Sequence, residues 1–241
     1  MRRDGARPAL RLGLQQVKGL SRAGAERLVA AREETPFDSV ADLARRAALK
    51  RKDLAALAAA DALRGLAGNR HRAAWAVAGV QAPLPLFPHP EPEPAAPLLR
   101  PPTEGEEIVA DYASTGLTLG RHPLALLRGH LRRRGLVTAA EVARRPHGAG
   151  VRAGGLVINR QRPASAHNVT FMTLEDETGQ INLVVWQRVA ERQRAVLLRA
   201  RLLGVVGEVQ REGEVVHVVA RRLYDHSHLL GGLVTRSRDF R

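Results

Sequence analysis

Aromatic and arginine side chains in the last third of the chain are the residues best suited to non-covalent chemistry. Phe171 and Trp186 each lie in a β-type run, and Trp186 closes its run beside Arg188. An exposed ring can stack on a nucleobase, which contributes about 1–3 kcal/mol per base, and a guanidinium can contact a phosphate. The pattern therefore predicts binding of a polyanion through the following candidates: Arg160, Arg162, Phe171, Trp186, Arg188, Arg211 and Arg221.

Each of these candidates has a plainer interpretation. Phe171 is flanked at period two by Val169 and Thr173, which favours a core position over a stacking position for this ring. Trp186 fits either role. Period two also puts Arg160 and Arg162 on one side of a strand, whereas the later arginines either line a groove or belong to a solvated face.

A second group of candidates lies near the N-terminus, where helical periods over residues 14–28 flank a short turn, as in a helix-hairpin-helix. A glycine in such a turn can adopt a positive φ and expose backbone N–H groups and the next helix N-terminus to a phosphate. The usual pattern has a second glycine where Ser21 stands, so we expect Ser21 to cap the helix and phosphate binding to be weaker. A plain helical turn without a ligand is the alternative. The candidates are Lys18, Gly19, Leu20, Ser21 and Arg22.

Catalytic chemistry has little support in the sequence. The chain has no cysteine, which excludes a thiolate nucleophile and a thiolate metal site. The acidic residues 175–177 are consecutive, so we predict a solvated turn and not a metal site, and His226 and His228 are predicted to form a polar tail. No phosphate-binding loop or dinucleotide fingerprint is present. We therefore predict no catalytic residue, no metal ligand and no cofactor.

The elements that position the barrel candidates are five short strands with one helix between the third and the fourth. Turn signals separate the strands, and a helical period covers residues 187–198. This order is typical of an OB-fold barrel, which usually binds single strands or splayed nucleic acid. The strand runs are 156–158, 169–174, 181–186, 202–209 and 215–219.

The remainder of the chain is helical around a proline-rich segment, so the fold class is α+β with several domains. Capping boxes are predicted at 39–42, 103–106 and 138–141, and a helix is predicted from His122-Pro123 to Arg134. We predict these domains: a helix-hairpin-helix DNA-binding domain (1–80), a proline-rich linker (81–102), a helical connecting segment (103–148), an OB-fold nucleic-acid-binding domain (149–228) and a C-terminal tail (229–241).

The proline-rich linker contains a short motif with apolar residues two positions apart. Such an extended peptide resembles the motif that docks into the bacterial sliding clamp, where an apolar pair anchors in a pocket. Prolines 83 and 85 depart from the usual motif, and packing of the apolar residues on the protein's own domain is the favoured alternative. The partner-binding candidates are Gln81, Leu84, Leu86 and Phe87.

The charge of the chain agrees with a polyanionic partner. Lys and Arg number 38 against 24 Asp and Glu, which gives a net charge of +14. Only three of the basic residues are lysine, so an arginine bias from genome composition is an equal explanation for many surface arginines. No stretch reads as a signal peptide or a membrane span, so a cytoplasmic location is expected.

Several phrases resemble the C-terminal region of error-prone bacterial C-family DNA polymerase α subunits, in particular the ImuC type. The resemblance covers nearly the whole chain from Leu10 onward and is carried by residues 105–112, 122–124, 154–165, 173–179, 182–186, 208–217 and 237–241. It implies a module that handles single-stranded template and primer–template DNA during translesion synthesis in the SOS response. It also implies an ImuB-type partner, the sliding clamp and a catalytic polymerase portion as partners.

The same resemblance implies that this chain alone does not polymerise. The family's metal-binding palm aspartates lie upstream of every phrase matched here, and two-metal phosphoryl transfer needs carboxylates that hold both ions. The alternative function is a protein-interaction module that docks polymerase accessory partners and has little DNA contact of its own, because OB barrels do both.

Overall fold

A computed structural model describes residues 12–80, 97–163 and 169–231, together with the backbone of residues 238–239. The chain divides into two compact units, Met1–Leu119 and Gly120–Arg241, here called the helical unit and the barrel unit. The fold class is as predicted, because a helical helix-hairpin-helix region precedes a closed five-stranded barrel. No helix in the described ranges combines the length and apolar character needed to cross a bilayer.

The helical unit packs short helices around an alanine- and leucine-rich core. The core contains Leu28, Leu43, Leu54, Leu57 and Ala73, which come from four different helices. A 3₁₀ turn, Leu14–Gln16, precedes the hairpin, so the described part of the first helical period is shorter than the sequence suggests. The helices are α1 (Arg22–Glu34), α2 (Val40–Arg46), α3 (Arg51–Ala59), α4 (Arg64–Ala67), α5 (Arg70–Gly79) and α6 (Glu104–Ser114).

Side-chain caps start most of these helices. Thr103 and Glu106 form the predicted reciprocal capping box of α6. At α2 only half of the predicted box is present, because Ser39 accepts from the Asp42 N–H while the Asp42 carboxylate accepts from the Asp38 N–H and not from Ser39. Asn69 caps α5 in the same way as Ser39 caps α2.

A buried arginine holds α6 against α5. Arg70 ion-pairs with Glu107 at 2.9 Å and with Asp111 at 2.5 Å, and it also donates to the Ala59 carbonyl. The sequence prediction assigned residues 103–148 to one connecting segment. In the structure α6 packs in the helical unit, whereas the helices Pro123–Arg133 and Ala139–Ala143 contact the barrel strands.

The barrel unit is a closed sheet in the strand order β1-β2-β3-β5-β4-β1. Neighbouring strands are antiparallel except β3 and β5, which are parallel, and the interior is filled by residues such as Leu174, Leu183, Val205 and Val218. The strands are β1 (Gly150–Gln161), β2 (Val169–Asp176), β3 (Gly179–Trp186), β4 (Leu202–Glu212) and β5 (Val215–Asp225), with a two-residue β6 (Arg238–Asp239) parallel to β1. The helices are α7 (Pro123–Arg133), α8 (Ala139–Ala143), α9 (Gln187–Arg192) and α10 (Arg194–Arg199).

Two glycines allow the barrel to close. A Cβ at Gly155 would lie 2.9 Å from the Glu175 carbonyl oxygen, and one at Gly207 would lie 2.3 Å from the Val219 carbonyl oxygen. Gly207 also adjoins an irregularity in the β4–β5 register. Such close backbone approaches at bends are what glycine permits in small barrels.

The acidic β2–β3 turn is not the solvated turn that the sequence predicted. Asp176 is buried, ion-pairs with Arg128 at 3.1 Å and accepts from the Ala139 N–H at the start of α8. Glu177 ion-pairs with the same arginine at 2.5 Å. The prediction failed because neither Arg128 nor the start of α8 is near these carboxylates in sequence, and both come to them only in the folded chain.

Candidate nucleic-acid interface

The outer face of β2 and β3 carries two exposed aromatic rings. Phe171 is 38% exposed and Trp186 is 53% exposed, and the inward residues between them, such as Met172 and Val185, are buried. The ladder pairs Phe171 with Val184 and Val169 with Trp186, which makes the two rings diagonal neighbours on one face. We call this pair the aromatic platform. The preference for Phe171 as a core residue was wrong.

Arginines of the following helix border the aromatic platform. Trp186, Gln187, Arg188, Glu191 and Arg192 line an open depression of about 520 Å³. Arg188 and Arg192 are exposed and form no ion pair within the described ranges, whereas Glu191 accepts a hydrogen bond from Gln187. The depression therefore combines an aromatic wall with guanidinium groups that are available to an anion.

Two of the predicted arginines serve the fold of the barrel unit instead. Arg160 donates to the carbonyls of Leu197 and Ala200 at the end of α10, at 2.9 Å for Leu197. Arg211 donates to the carbonyls of Ala143 and Arg145. Both fill the carbonyl-rich C-terminal end of a helix, which is a favoured place for a cation.

The other two arginine candidates remain on the surface. Arg221 ion-pairs with Glu208 on the neighbouring strand. Arg162 lies just beyond the end of β1 and is exposed, so it does not share a strand face with Arg160 as predicted.

The hairpin of the helical unit has the predicted backbone conformation, but some of its hydrogen-bond donors are already bonded within the protein. Gly19 has a φ of +87°, and Ser21 caps α1 by accepting from the Gly24 N–H at 3.1 Å. Lys18 donates through Nζ to the carbonyls of Tyr112 and Ala113 at 2.9 and 3.1 Å, which are at the end of α6. The N–H groups of Gly19, Arg22 and Ala23 form no hydrogen bond within the described part of the chain.

A carboxylate of the protein itself occupies the position that an anion would take at the start of α1. Asp53 is 3% exposed and accepts from the Ser21 N–H at 2.8 Å and from the Ser21 hydroxyl at 3.1 Å. A Cβ on Gly24 would lie 2.8 Å from the Asp53 carboxylate oxygen. The positive end of the α1 dipole is therefore already neutralised in part. Sequence reasoning missed Asp53 because it is 32 residues from Ser21.

The remaining sequence predictions concern the linker motif, the histidines after β5 and metal ligands. The clamp-type motif with Gln81, Leu84, Leu86 and Phe87 lies outside the described residues. His226 and His228 do not form a simple tail, because the His226 ring stacks on Tyr224 and His228 packs edge-on against it. Over the part of the chain that the structure describes, no group of three potential ligands could hold a metal ion.

Models of known families match both regions of the chain. A family model for the helix-hairpin-helix motif matches residues 3–73, and one for an OB-fold nucleic acid binding domain matches residues 151–225. The chain thus joins a helix-hairpin-helix region to an OB-fold domain of the nucleic-acid-binding type.

The relatives that the chain resembles in sequence are error-prone DNA polymerases. Over 99% of its length the chain is 62% identical to an error-prone DNA polymerase of Alkalilimnicola ehrlichii, and over 98% it is 56% identical to one of Methylococcus capsulatus. It covers only 23% and 22% of those proteins, so it spans less than a quarter of the relatives that it matches. Among solved structures, asparaginyl-tRNA synthetase from Pyrococcus horikoshii matches 37% of this chain and 22% of its own at 25% identity, with a TM-score of 0.32.

Proposed function

We propose that the chain is a DNA-binding module of an error-prone DNA polymerase and that its barrel binds single-stranded template. The aromatic platform carries this proposal, because two exposed rings on one face of the sheet are what base stacking requires. Arg188 and Arg192 beside Trp186 supply phosphate contacts, and Arg162 adds a further cation. Homology to error-prone DNA polymerases over 99% of the chain supports DNA as the nucleic acid.

In this proposal the hairpin contributes a weaker, sequence-independent contact to duplex phosphates. The free N–H groups of Gly19, Arg22 and Ala23 support the contact. Asp53 beside Ser21 and the engagement of Lys18 with α6 both reduce it. We therefore expect the barrel to dominate affinity for nucleic acid.

The biological setting belongs to the same proposal. We propose ImuC-type translesion synthesis in the SOS response, in the cytoplasm, with the sliding clamp, an ImuB-type partner and a catalytic polymerase portion as partners. The support is the family resemblance of the sequence and the homology reported above. Loss of clamp binding on changing both Leu86 and Phe87 to alanine is the direct test of the linker motif.

The alternative function is docking of polymerase accessory proteins with little DNA contact. One observation favours it, since Trp75 on α5 is 46% exposed, and an exposed tryptophan is a common anchor of protein interfaces. The two functions predict different results for the aromatic platform.

Titration of an oligothymidylate against the double variant Phe171→Ala, Trp186→Ala tests the proposal. We expect affinity to fall by about 10-fold or more, since each stacked base contributes about 1–3 kcal/mol. The slope of log K against log salt should not change, because no charge is removed. Trp75→Ala is the matched control, since it removes an exposed tryptophan from the helical unit and should leave affinity intact. Unchanged affinity in the folded double variant would reject the proposal and favour the docking function.

A further inference from the structure

A second set of cationic and aromatic side chains lies on another face of the barrel, away from β2. Arg222, Tyr224 and His226 follow at alternate positions along β5 and just beyond it, while Leu223 between them is buried. The Arg222 guanidinium carbon lies 5.2 Å from the centroid of the Tyr224 ring. The Tyr224 and His226 rings are parallel to within 7°, with centroids 6.3 Å apart. The three side chains thus form one continuous stack.

The ladder brings another arginine to the same face. Arg152 on β1 is opposite Val206 on β4, which is opposite Arg222 on β5. Directly opposed residues point to the same side of a sheet, and two strand spacings separate the Arg152 and Arg222 backbones by roughly 10 Å. Arg134 at the end of α7 approaches from the flank, because its charge acts on His226 and its neighbour Gly135 lies beside the Arg152 guanidinium.

The His226 ring packs closely on the sheet because Gly204 has no side chain. A Cβ at Gly204 on β4 would lie only 2.8 Å from the imidazole ring. The Ser227 hydroxyl accepts from the Arg201 N–H at 2.8 Å and fixes the chain just after the ring. The stack is therefore held in place before any ligand arrives, which lowers the entropic cost of binding.

Within the described residues, the cations of this face form no ion pair with an acidic side chain. Arg134, Arg152 and Arg222 form no ion pair within the described ranges, and Arg152 and Arg222 are exposed. Asp225, whose negative charge acts on His226, already accepts from the Ser227 N–H at 2.8 Å. Arg221, the preceding residue on β5, is instead paired with Glu208 of β4. The lack of an ion pair thus distinguishes Arg134, Arg152 and Arg222 from Arg221.

We propose that this face, made of Arg134, Arg152, Arg222, Tyr224 and His226, is a second nucleic-acid contact surface that binds the phosphodiester backbone beyond the nucleotides on the aromatic platform. We call it the β5 basic face. Two guanidinium groups on backbones roughly 10 Å apart can reach different phosphates of one strand. The inference rests on the proposed function only in taking nucleic acid as the ligand, and the residues involved are different.

The test compares strand lengths in the double variant Arg152→Gln, Arg222→Gln of the full chain. An oligothymidylate of about 8 nucleotides fits one OB barrel site, and one of about 30 extends beyond it. For the long strand we expect affinity to fall about 10-fold at low salt and the salt slope to fall by about 1.4, which is two phosphate contacts at about 0.7 each. Affinity for the short strand should change by less than about twofold, since the platform is intact.

Matched controls separate a local contact from general loss of charge. Arg144→Gln with Arg145→Gln removes the same charge from exposed residues after α8 and should leave the slope for the long strand unchanged. A duplex arm identifies the source of the phosphates, because a loss confined to duplex assigns this face to double-stranded DNA. An equal slope change in the control variant, or no change with either the long strand or the duplex, would overturn the inference.

Failure of this inference is distinguishable from failure of the proposed function. If Phe171→Ala with Trp186→Ala weakens binding of the short strand while Arg152→Gln with Arg222→Gln has no effect on any ligand, the platform stands and the β5 basic face does not bind. If the arginine variant alone affects the long strand, the face binds nucleic acid and the platform assignment is wrong.

Discussion

The two units both contain groups that suit a phosphate, but they differ in whether those groups are free. In the helical unit the hairpin cation Lys18 donates to α6 carbonyls, and Asp53 lies at the N-terminus that an anion would otherwise use. In the barrel unit Phe171, Trp186 and Arg188 are exposed. In the helical unit these groups are therefore bonded to the protein itself and stabilise its fold. In the barrel unit the corresponding groups are exposed and can contact a ligand.

This difference shows that a sequence motif predicts which groups are able to bind a phosphate. Whether they are available depends on the hydrogen bonds and ion pairs that they form in the folded protein. Arg160 and Arg188 are both candidates by sequence, yet Arg160 donates to the carbonyls at the end of α10, whereas Arg188 is exposed and forms no ion pair with any residue that the structure describes. An arginine that already donates to two carbonyls must give up those bonds to reach a phosphate, at about 1.5–3 kcal/mol for each bond to a charged group. Only the free arginines add affinity without that cost.

In one respect the units are alike, and the largest expected effects lie there. Each contains an arginine that holds two carboxylates, the buried Arg70 with Glu107 and Asp111, and the partly buried Arg128 with the buried Asp176 and with Glu177. Removing one partner of a buried ionic cluster typically costs about 3–5 kcal/mol, because charges are left buried without compensation. We expect Arg70→Met and Arg128→Met each to lower the free energy of unfolding by about 3 kcal/mol.

Hydrogen exchange resolves which unit is affected by each change. Arg70→Met should reduce protection in the core of the helical unit and Arg128→Met in the barrel strands, and neither should alter the salt slope of DNA binding. Exposed ion pairs contribute far less, so Arg22→Met, which breaks the exposed pair with Glu26, is the control and should change stability by less than about 0.5 kcal/mol. A similar loss of stability in the control, or no loss in Arg128→Met, would show that these ionic clusters do not stabilise the unit to which each belongs.

The barrel could be predicted from the sequence because its evidence is local. Alternating β-branched runs, glycine turns and a helical period between residues 187 and 198 fixed the fold, and the structure divides that period into α9 and α10. The predicted strands were too short by several residues, notably β1, which begins at Gly150 and not at Leu156. Gly154 and Gly155 carry no β-type signal, although both lie in β1. Glycine suits these positions because neighbouring residues approach the backbone too closely for a side chain.

The candidate site was predicted only in part because pairing is not local. Phe171 was assigned to the core on the strength of its neighbours, although the alternation of burial places it outside. Asp53 and Ser21, 32 residues apart, could not be paired from sequence. The β5 basic face was missed for the same reason, since Arg152 and Arg222 meet only through the β1–β4–β5 ladder.

Removing the carboxylate beside the hairpin is a direct way to break the comparison between the units. Asp53→Asn keeps an oxygen that can accept from Ser21 but removes the negative charge at the α1 N-terminus. A helix terminus favours an anion by about 0.3–1 kcal/mol, so duplex affinity at low salt should rise about two- to fivefold. Asp38→Asn is the matched control, because it removes an exposed carboxylate from the same unit. No rise, or an equal rise in the control, would mean that the hairpin does not bind phosphate.

The smallest expected effect concerns pH and again separates the units. The helix caps of the helical unit come from hydroxyl and amide groups, and hydrogen bonds from Thr103 lower the pKa of the exposed Glu106 carboxyl to about 2. The α6 capping box therefore stays intact in mild acid. In the barrel unit α7 is capped by His122, whose Nδ1 accepts from the Leu124 N–H at 3.1 Å. A protonated imidazole has no acceptor, so this cap requires the neutral ring.

Burial lowers the pKa of His122 and outweighs the opposing influence of Glu175, Glu177 and Asp176, while Arg128 acts in the same direction as burial. The unfolded chain therefore binds more protons than the folded chain as pH falls below about 6.5, and the stability of the barrel should decrease in that range. Asn is a good N-cap that does not titrate, so His122→Asn should match the wild type near pH 8 and lose less stability between pH 7 and 5. Urea unfolding of both proteins at each pH measures the difference. Parallel stability curves would show that the His122 cap does not set the acid sensitivity of the barrel, and the contrast with the helical unit would then need another titrating group.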